Sequence, residues 1–269
     1  MGRLTTRRSV VRIDGTQVVT RPDTLAVEEP LELRVAGQTI TVTMRTPGDD
    51  MDLAAGFLVS EGVISRSDQL RAMRFCAGAD GSEVNSYNVL DLELTVAPPR
   101  PRASYVSSSC GICGTASLEA VRTTTSYDVS GDPLTVTSAL LATLPERLRQ
   151  GQRVFDKTGG LHAAALFSTA GELLCLREDV GQHNAVDKVV GWALREGRLP
   201  LSETLLMVSG RASFELVQKA WMGGIPLLAA VSAPSSLAVD LAVEAGLTLV
   251  GFLRGTSMNV YSASHRVLT

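Results

Sequence analysis

Two of the chain's four cysteines, Cys110 and Cys113, lie in the stretch Ser107-Ser108-Ser109-Cys110-Gly111-Ile112-Cys113-Gly114-Thr115. A serine run precedes them and a glycine follows each, so the backbone there is expected to be an unobstructed loop. A thiolate on such a loop can attack an activated sulfur, hold it as a persulfide and pass it on, with the second cysteine resolving or relaying it. Other chemistries use the same spacing. Zinc wants four ligands; there is no second CxxC, and the remaining candidates are Cys76, Cys175 and three histidines. Cys76 and Cys175 fall inside apparent strands, where they read as packing. A thioredoxin-type dithiol normally opens a helix after an early strand. Here the pair follows a long first half and a proline-rich linker. A plain packing role suits Cys110 and Cys113 poorly, because serine and glycine offer little to pack against. Sulfur carrying is the leading reading.

A second kind of chemistry gathers at three places where an apolar run stops. They are Ser209-Gly210-Arg211, Ser232-Ala233-Pro234-Ser235-Ser236 and Arg254-Gly255-Thr256-Ser257. Beyond the carboxyl ends of strands in an α/β sheet is where ligands bind. Hydroxyls, glycines and arginines there suit phosphate, through backbone N–H groups, helix N-termini and charge. Ordinary helix capping explains some of these serines and threonines. The third cluster is Arg177-Glu178-Asp179-Val180-Gly181-Gln182-His183-Asn184-Ala185-Val186-Asp187-Lys188. His183 or Asn184 is expected near a helix N-terminus on the same rim, with charged neighbours to tune the imidazole. In Thr158-Gly159-Gly160-Leu161-His162 the glycines allow a ligand close to the backbone. For either histidine, a satisfied structural role is the alternative.

These groups need a scaffold to position them. Around residues 12–19 the β-branched content and Asp14-Gly15 predict a hairpin. Residues 31–35 and 39–44 alternate apolar and polar as half-buried strands do. Thr46-Pro47-Gly48-Asp49-Asp50 breaks the sheet, and Asp49 or Asp50 is expected to cap a helix over 51–61. Strands are expected around 73–76 and 84–96. Pro98-Pro99-Arg100-Pro101-Arg102 is the clearest linker. After it, helices are predicted at 137–149, 184–196, 214–222 and 237–245, with Thr137 or Ser138 starting the first. Strands are predicted at 162–167, 171–176, 204–208, 226–231 and 247–252. This short-spaced alternation argues for an α/β layered sandwich with a largely parallel sheet. The organisation expected is a β-rich region with one helix over 1–103, a mobile CxxC loop and connector over 104–136, and an α/β domain over 137–269.

The 269 residues are 45% hydrophobic and 20% charged, with net charge −3. The pI is about 5.7 and the mean hydropathy +0.15. That balance supports one large core or two modest ones and gives no basic field for nucleic acid or an anionic membrane. The longest apolar runs, 226–231 and 247–253, are far short of a membrane span. The basic residues at the start precede no apolar segment, so no signal peptide is read and a cytoplasmic location is expected.

Taken in order, several segments resemble the FdhD/NarQ family, sulfur-carrier proteins needed for formate dehydrogenase activity. They are Glu28-Glu29-Pro30-Leu31, Thr46-Pro47-Gly48-Asp49-Asp50 with 53–58, Cys110-Gly111-Ile112-Cys113-Gly114, 158–164, 178–181, 183–188, Ser209-Gly210-Arg211, 232–236 and 251–255. The resemblance implies a cytidine-deaminase-like three-layer α/β core with a smaller β-rich N-terminal part, and a homodimer. It implies sulfur taken from a cysteine desulfurase and passed to the molybdenum (or tungsten) bis(guanine dinucleotide) cofactor, which goes on to formate dehydrogenase. By position, Cys110 is the persulfide carrier and Cys113 its partner. Phe252, Leu253, Arg254, Gly255, Thr256 and Ser257 match the segment assigned to the cofactor. Gly210, Arg211, Ser235, His183, Asn184 and Lys188 are the further contacts expected. GDP or GMP is the expected mimic of the ligand, and no structural metal is expected. One departure stands out: Gln182 replaces an expected arginine, which removes a positive charge from a place that could hold an anion. The fold does not bring deamination with it. Zinc deaminases need H-x-E followed by P-C-x-x-C, whereas Ala163-Ala164 follow His162 and the CxxC comes earlier, after a serine. The alternative reading is a non-catalytic cofactor chaperone whose cysteines sense redox state or bind zinc.

Overall fold

The computed structural model describes residues 3–76, 87–97, 125 and 127–269. The linker at 98–102 and the loop bearing Cys110 and Cys113 lie outside the described residues.

The chain opens with a ribbon of β1 (Thr5–Asp14) and β2 (Gln17–Ala26), antiparallel and turning at Gly15, whose φ is 59°. The hairpin sits where Asp14-Gly15 predicts it, and both its strands are longer than expected. Next come β3 (Glu29–Val35), β4 (Gln38–Arg45), β5 (Leu70–Phe75) and β6 (Val89–Leu94). They form a four-stranded sheet in the order β4-β3-β6-β5. Alternation along β3 buries Leu31, Leu33 and Val35. Helix α1 (Asp50–Ser60) follows β4. Neither aspartate caps it as predicted. Asp49 stands at the cap position with φ 53° and no side-chain cap bond, while Asp50 accepts from the buried Arg45 at 2.9 Å.

The second half is built on a six-stranded sheet in the order β13-β12-β11-β10-β8-β9. Its strands are β8 (His162–Ser168), β9 (Leu173–Asp179), β10 (Thr204–Val208), β11 (Leu227–Ala230), β12 (Thr248–Arg254) and β13 (Ser257–Ser262). A short parallel pair, β7 (Val136–Thr137) and β14 (Val267–Leu268), lies beside it. The sheet is mixed rather than largely parallel: β10, β11 and β12 run together, and β8, β9 and β13 run against their neighbours. The reason is connection length. The turns joining β8 to β9 and β12 to β13 are too short for a parallel crossover.

Helix α2 (Ser138–Gly151) covers one face of this sheet and starts at Thr137, whose hydroxyl accepts from Leu140 N at 3.2 Å. Helices α3 (Gln182–Arg195), α4 (Phe214–Met222) and α5 (Ser236–Ala245) cover the other. The strands are apolar on both sides, as sandwiched strands are. Ala163, Ala165 and Phe167 pack with Leu141, Leu144 and Leu148 of α2. Ala164 and Leu166 pack with Val186, Val189 and Val190 of α3.

That second core runs on without a break into the four-stranded sheet, taking in Leu31, Leu33, Leu53 and Leu58. The continuity depends on a close helix crossing. A Cβ on Gly56 of α1 would lie 1.8 Å from the carbonyl oxygen of Asp187, and one on Gly191 of α3 would lie 1.8 Å from that of Asp52. Only glycine lets the two backbones touch there. Among the described residues no helix is long and apolar enough to cross a membrane.

Candidate functional site: a rim at the strand ends

The loops beyond β10, β11 and β12 are laced together by their backbones. Ser232 N donates to Gly210 O at 3.1 Å, Ala212 N to Ala233 O at 3.2 Å, Ser235 N to Ala212 O at 3.0 Å and Phe252 N to Ser232 O at 3.1 Å. Arg254 Nε adds a bond to Val231 O at 3.0 Å. The three loops therefore form one surface. The start of β8 brings His162 to it: Ser209 Oγ accepts from Ala163 N at 2.9 Å and lies 3.5 Å from His162 Nδ1. The N-terminus of α3 brings Gln182 and His183. Gln182 donates to Arg211 O at 2.9 Å and packs so tightly under Gly210 that a Cβ there would sit 2.4 Å from its amide oxygen. The glutamine thus braces the loop that carries Arg211.

Arg211 is exposed, bonded through its backbone carbonyl, and its guanidinium has no hydrogen bond or ion pair among the described residues. Arg254 is exposed too, its guanidinium held among the described residues through Nε alone. Phe252 sits at a bulge in β12, where the pairing register shifts between Gly251 and Arg254. Its φ is 52° and its ring is exposed. A bulky residue in the left-handed region carries a cost of about 1 kcal/mol or more and re-aims the side chain. Leu253 is fully buried and can offer a ligand only its backbone. Gly255 and Thr256 form the turn into β13, which Ser257 begins. No helix follows β12 there, so this loop has no helix N-terminus to offer an anion. Ser235 accepts from Ala238 N at 3.2 Å and caps α5.

His183 lies between two side chains that the sequence does not single out. Its Nδ1 is 3.1 Å from Glu215 Oε2, and its Nε2 is 3.1 Å from Ser213 Oγ. Burial first, then the charge of Lys219, push its pKa down to about 4, so the ring is neutral. Ser213 and Glu215 look in sequence like an ordinary helix start; the signal was their place directly after Ser209-Gly210-Arg211.

Asn184 and Lys188 go elsewhere. The Asn184 amide donates to Met44 O at 2.7 Å and to Asp179 Oδ1 at 3.0 Å. Lys188 Nζ binds Asp179 Oδ2 at 2.7 Å, Thr46 O at 3.0 Å and Glu178 O at 3.4 Å, with the side chain 1% exposed. Asp187 takes Lys219 at 2.8 Å and the Ser60 hydroxyl at 2.6 Å. Asp52 holds Arg177 and Arg195. Together these bonds join α1 and β4 to α3, β9 and α4. Cys175 belongs to the apolar core, and burial pushes its thiol up to about 12, where it is inert as a nucleophile.

The profile of the FdhD/NarQ family matches residues 26–268. A Streptomyces avermitilis protein named sulfur carrier protein FdhD is 62% identical over 273 residues, covering 99% of this chain and 97% of its own. One of the same name from Mycobacterium tuberculosis is 54% identical over 275 residues, covering 99% and 100%. A crystal structure described as that of a formate dehydrogenase accessory protein from Desulfotalea psychrophila superposes with a TM-score of 0.77. It covers 99% of this chain and 100% of that one at 24% identity, a likeness of fold.

Proposed function

The chain belongs to the FdhD/NarQ family, and on that premise we propose that it is a sulfur carrier acting on the guanine-dinucleotide form of the molybdenum (or tungsten) cofactor. The Cys110 thiolate attacks the outer sulfur of a persulfide on a cysteine desulfurase. The donor's S–S bond breaks, the donor cysteine leaves as a thiolate, and Cys110 becomes a persulfide. Cys113 is its resolving or relaying partner. The Cys113 thiolate attacks the inner sulfur of the Cys110 persulfide, and a Cys110–Cys113 disulfide forms as the persulfide S–S bond breaks. The outer sulfur leaves at the sulfide level to the cofactor, which is substrate and cargo here and goes on to formate dehydrogenase. The reading includes a cytoplasmic homodimer with a cytidine-deaminase-like core.

The observation that carries the reading of the site is the rim itself. Three laced loops present Arg211 and Arg254 with guanidinium nitrogens free of partners among the described residues, beside an exposed aromatic ring at Phe252. Free guanidinium groups suit pyrophosphate, and an exposed ring suits a stacked base. Asn184 and Lys188 support the rim from behind by fixing α3 against β4.

The test is intact-protein mass spectrometry after incubation with a cysteine desulfurase and free cysteine. Added sulfur that maps to Cys110 and is removed by a thiol reductant is expected. A Cys110→Ala variant should fold, keep guanine-nucleotide binding and fail to activate formate dehydrogenase. An active variant would overturn the carrier role and leave a cofactor chaperone.

A further inference from the structure

One hydroxyl on the rim has its polarity set by its neighbours. A carboxylate only accepts hydrogen bonds, so the Nδ1 of His183, 3.1 Å from Glu215, must carry the proton. A neutral imidazole has one such proton. Nε2 is therefore an acceptor, and the Ser213 hydroxyl, 3.1 Å away, donates to it. What remains to Ser213 is acceptance through its two lone pairs. Its position makes this unusual. Ser213 is the N-cap residue of α4, where a serine commonly accepts from an amide of the first turn, and it makes no such bond. The groups acting on the ring come from both sides: Lys219 and Glu215 from α4, Asp187 from its own helix, and His162 across the rim.

Ser213 is separated from Arg211 only by Ala212, whose N–H and C=O tie this loop to the one after β11. The two neighbours offer opposite chemistry. Arg211 offers donors only, and Ser213 offers an acceptor. The pyrophosphate bridge of a dinucleotide has acceptor oxygens and no proton to give at neutral pH, so it suits Arg211 and not Ser213. A guanine base has N–H donors on its pairing edge at N1 and the exocyclic amine. Adenine has an unprotonated nitrogen at N1 and no amine at position 2, its one amine standing at position 6, where guanine has a carbonyl.

We propose that Ser213, oriented by the Glu215–His183 pair, reads the base: it accepts a hydrogen bond from the N–H edge of guanine while the rim arginines hold the phosphates. Glu215 and His183 are positioning residues. The inference rests on the proposed function only in placing a guanine nucleotide on this rim.

The experiment measures dissociation constants of GDP, ADP and inorganic pyrophosphate for the full chain and three variants. Wild type should prefer GDP to ADP by about tenfold or more, the size of one hydrogen bond made against one left unmade. Ser213→Ala should lose that preference, weakening GDP about tenfold and leaving ADP and pyrophosphate unchanged. Ser213→Thr, which keeps the hydroxyl, should restore it. Glu215→Gln lets the ring adopt the other tautomer and should narrow the preference with pyrophosphate unaffected. The 15N spectrum of the His183 ring gives a readout independent of ligand: Nδ1 protonated, Nε2 not.

If Ser213→Ala weakens all three ligands alike, or leaves GDP untouched while wild type binds it, the base-reading role falls and the sulfur-carrier reading stands. A protonated Nε2 overturns the polarity argument directly. Wild type that binds none of the three overturns the ligand assigned to the rim, and the inference with it.

Discussion

The joint between the two sheets and the rim at the strand ends use the same residue types and differ in what those residues are bonded to. At the joint Lys188 is buried with three oxygen partners, and Asp187 and Asp52 are each shared between two groups. At the rim Arg211 is exposed with no such partner among the described residues. One helix serves both regions. Along α3, His183, Asp187 and Gly191 repeat every four residues and so share a face. His183 reaches the rim, Asp187 meets Lys219 and Ser60, and Gly191 touches the Asp52 carbonyl. A polar group already paired inside the chain fixes how two elements sit. One left unpaired in a built surface is available to a ligand.

The strongest way to break this contrast is Lys188→Met. It leaves the Asp179 carboxylate buried without its countercharge, and the expected loss is about 3–5 kcal/mol in chemical denaturation. A loss below about 1 kcal/mol would mean that the ammonium is not needed by the joint and is free for a ligand. Gly191→Ala drives a methyl into the Asp52 carbonyl and should cost about 3 kcal/mol. At the rim, Gly255→Ala meets nothing within 4 Å and bears only its left-handed φ of 54°, about 1 kcal/mol.

The pH dependence sharpens the contrast further. His183 has its folded pKa pressed from 6.5 to about 4. The unfolded chain therefore binds more protons between those values. Stability attached to this ring is full above about pH 6.5 and falls as pH drops toward 4, by roughly 1 kcal/mol per unit. His183→Gln should flatten that part of the curve in denaturation at pH 7, 6 and 5. An unchanged slope would mean that the ring is not held neutral. The smallest effect on the fold is expected from Arg211→Ala: stability within about 0.5 kcal/mol of wild type, with GDP binding weakened about tenfold and its salt dependence reduced. A large loss of stability there would give Arg211 a role inside the fold and undo the contrast.

Much of the fold is legible along the chain. The apolar run at β8, the strand at β10 and the periodic face of α3 all announce themselves, because each depends on local pattern. β13 does not: Ser-Met-Asn-Val-Tyr-Ser is a partly polar edge strand, and 254–257 consequently reads only as the end of a strand when it is a hairpin turn. The failed cap at Asp49 has a similar origin. Arg45 claims Asp50, and the backbone at Asp49 takes a left-handed turn that aims its carboxylate away. At the rim, Arg211, Phe252 and His183 carry their chemistry in their residue types. Ser213 and Glu215 are invisible as a pair with His183 because they lie on another helix, thirty residues away in the case of the serine.

Residue type and local spacing settle which groups this protein has for sulfur and phosphate chemistry and which segments become strands and helices. They cannot settle which of two lysines or arginines is left free. Asn184 and Lys188 stand within a few residues of His183, and only the closeness of α1 and α3 at Gly56 and Gly191 carries them into the joint. That closeness joins opposite halves of the chain, the Thr46 N–H donating to the Asp179 carboxylate across 133 residues. Such a pairing follows from burying one shared core, a property of the whole packed structure that no local stretch contains.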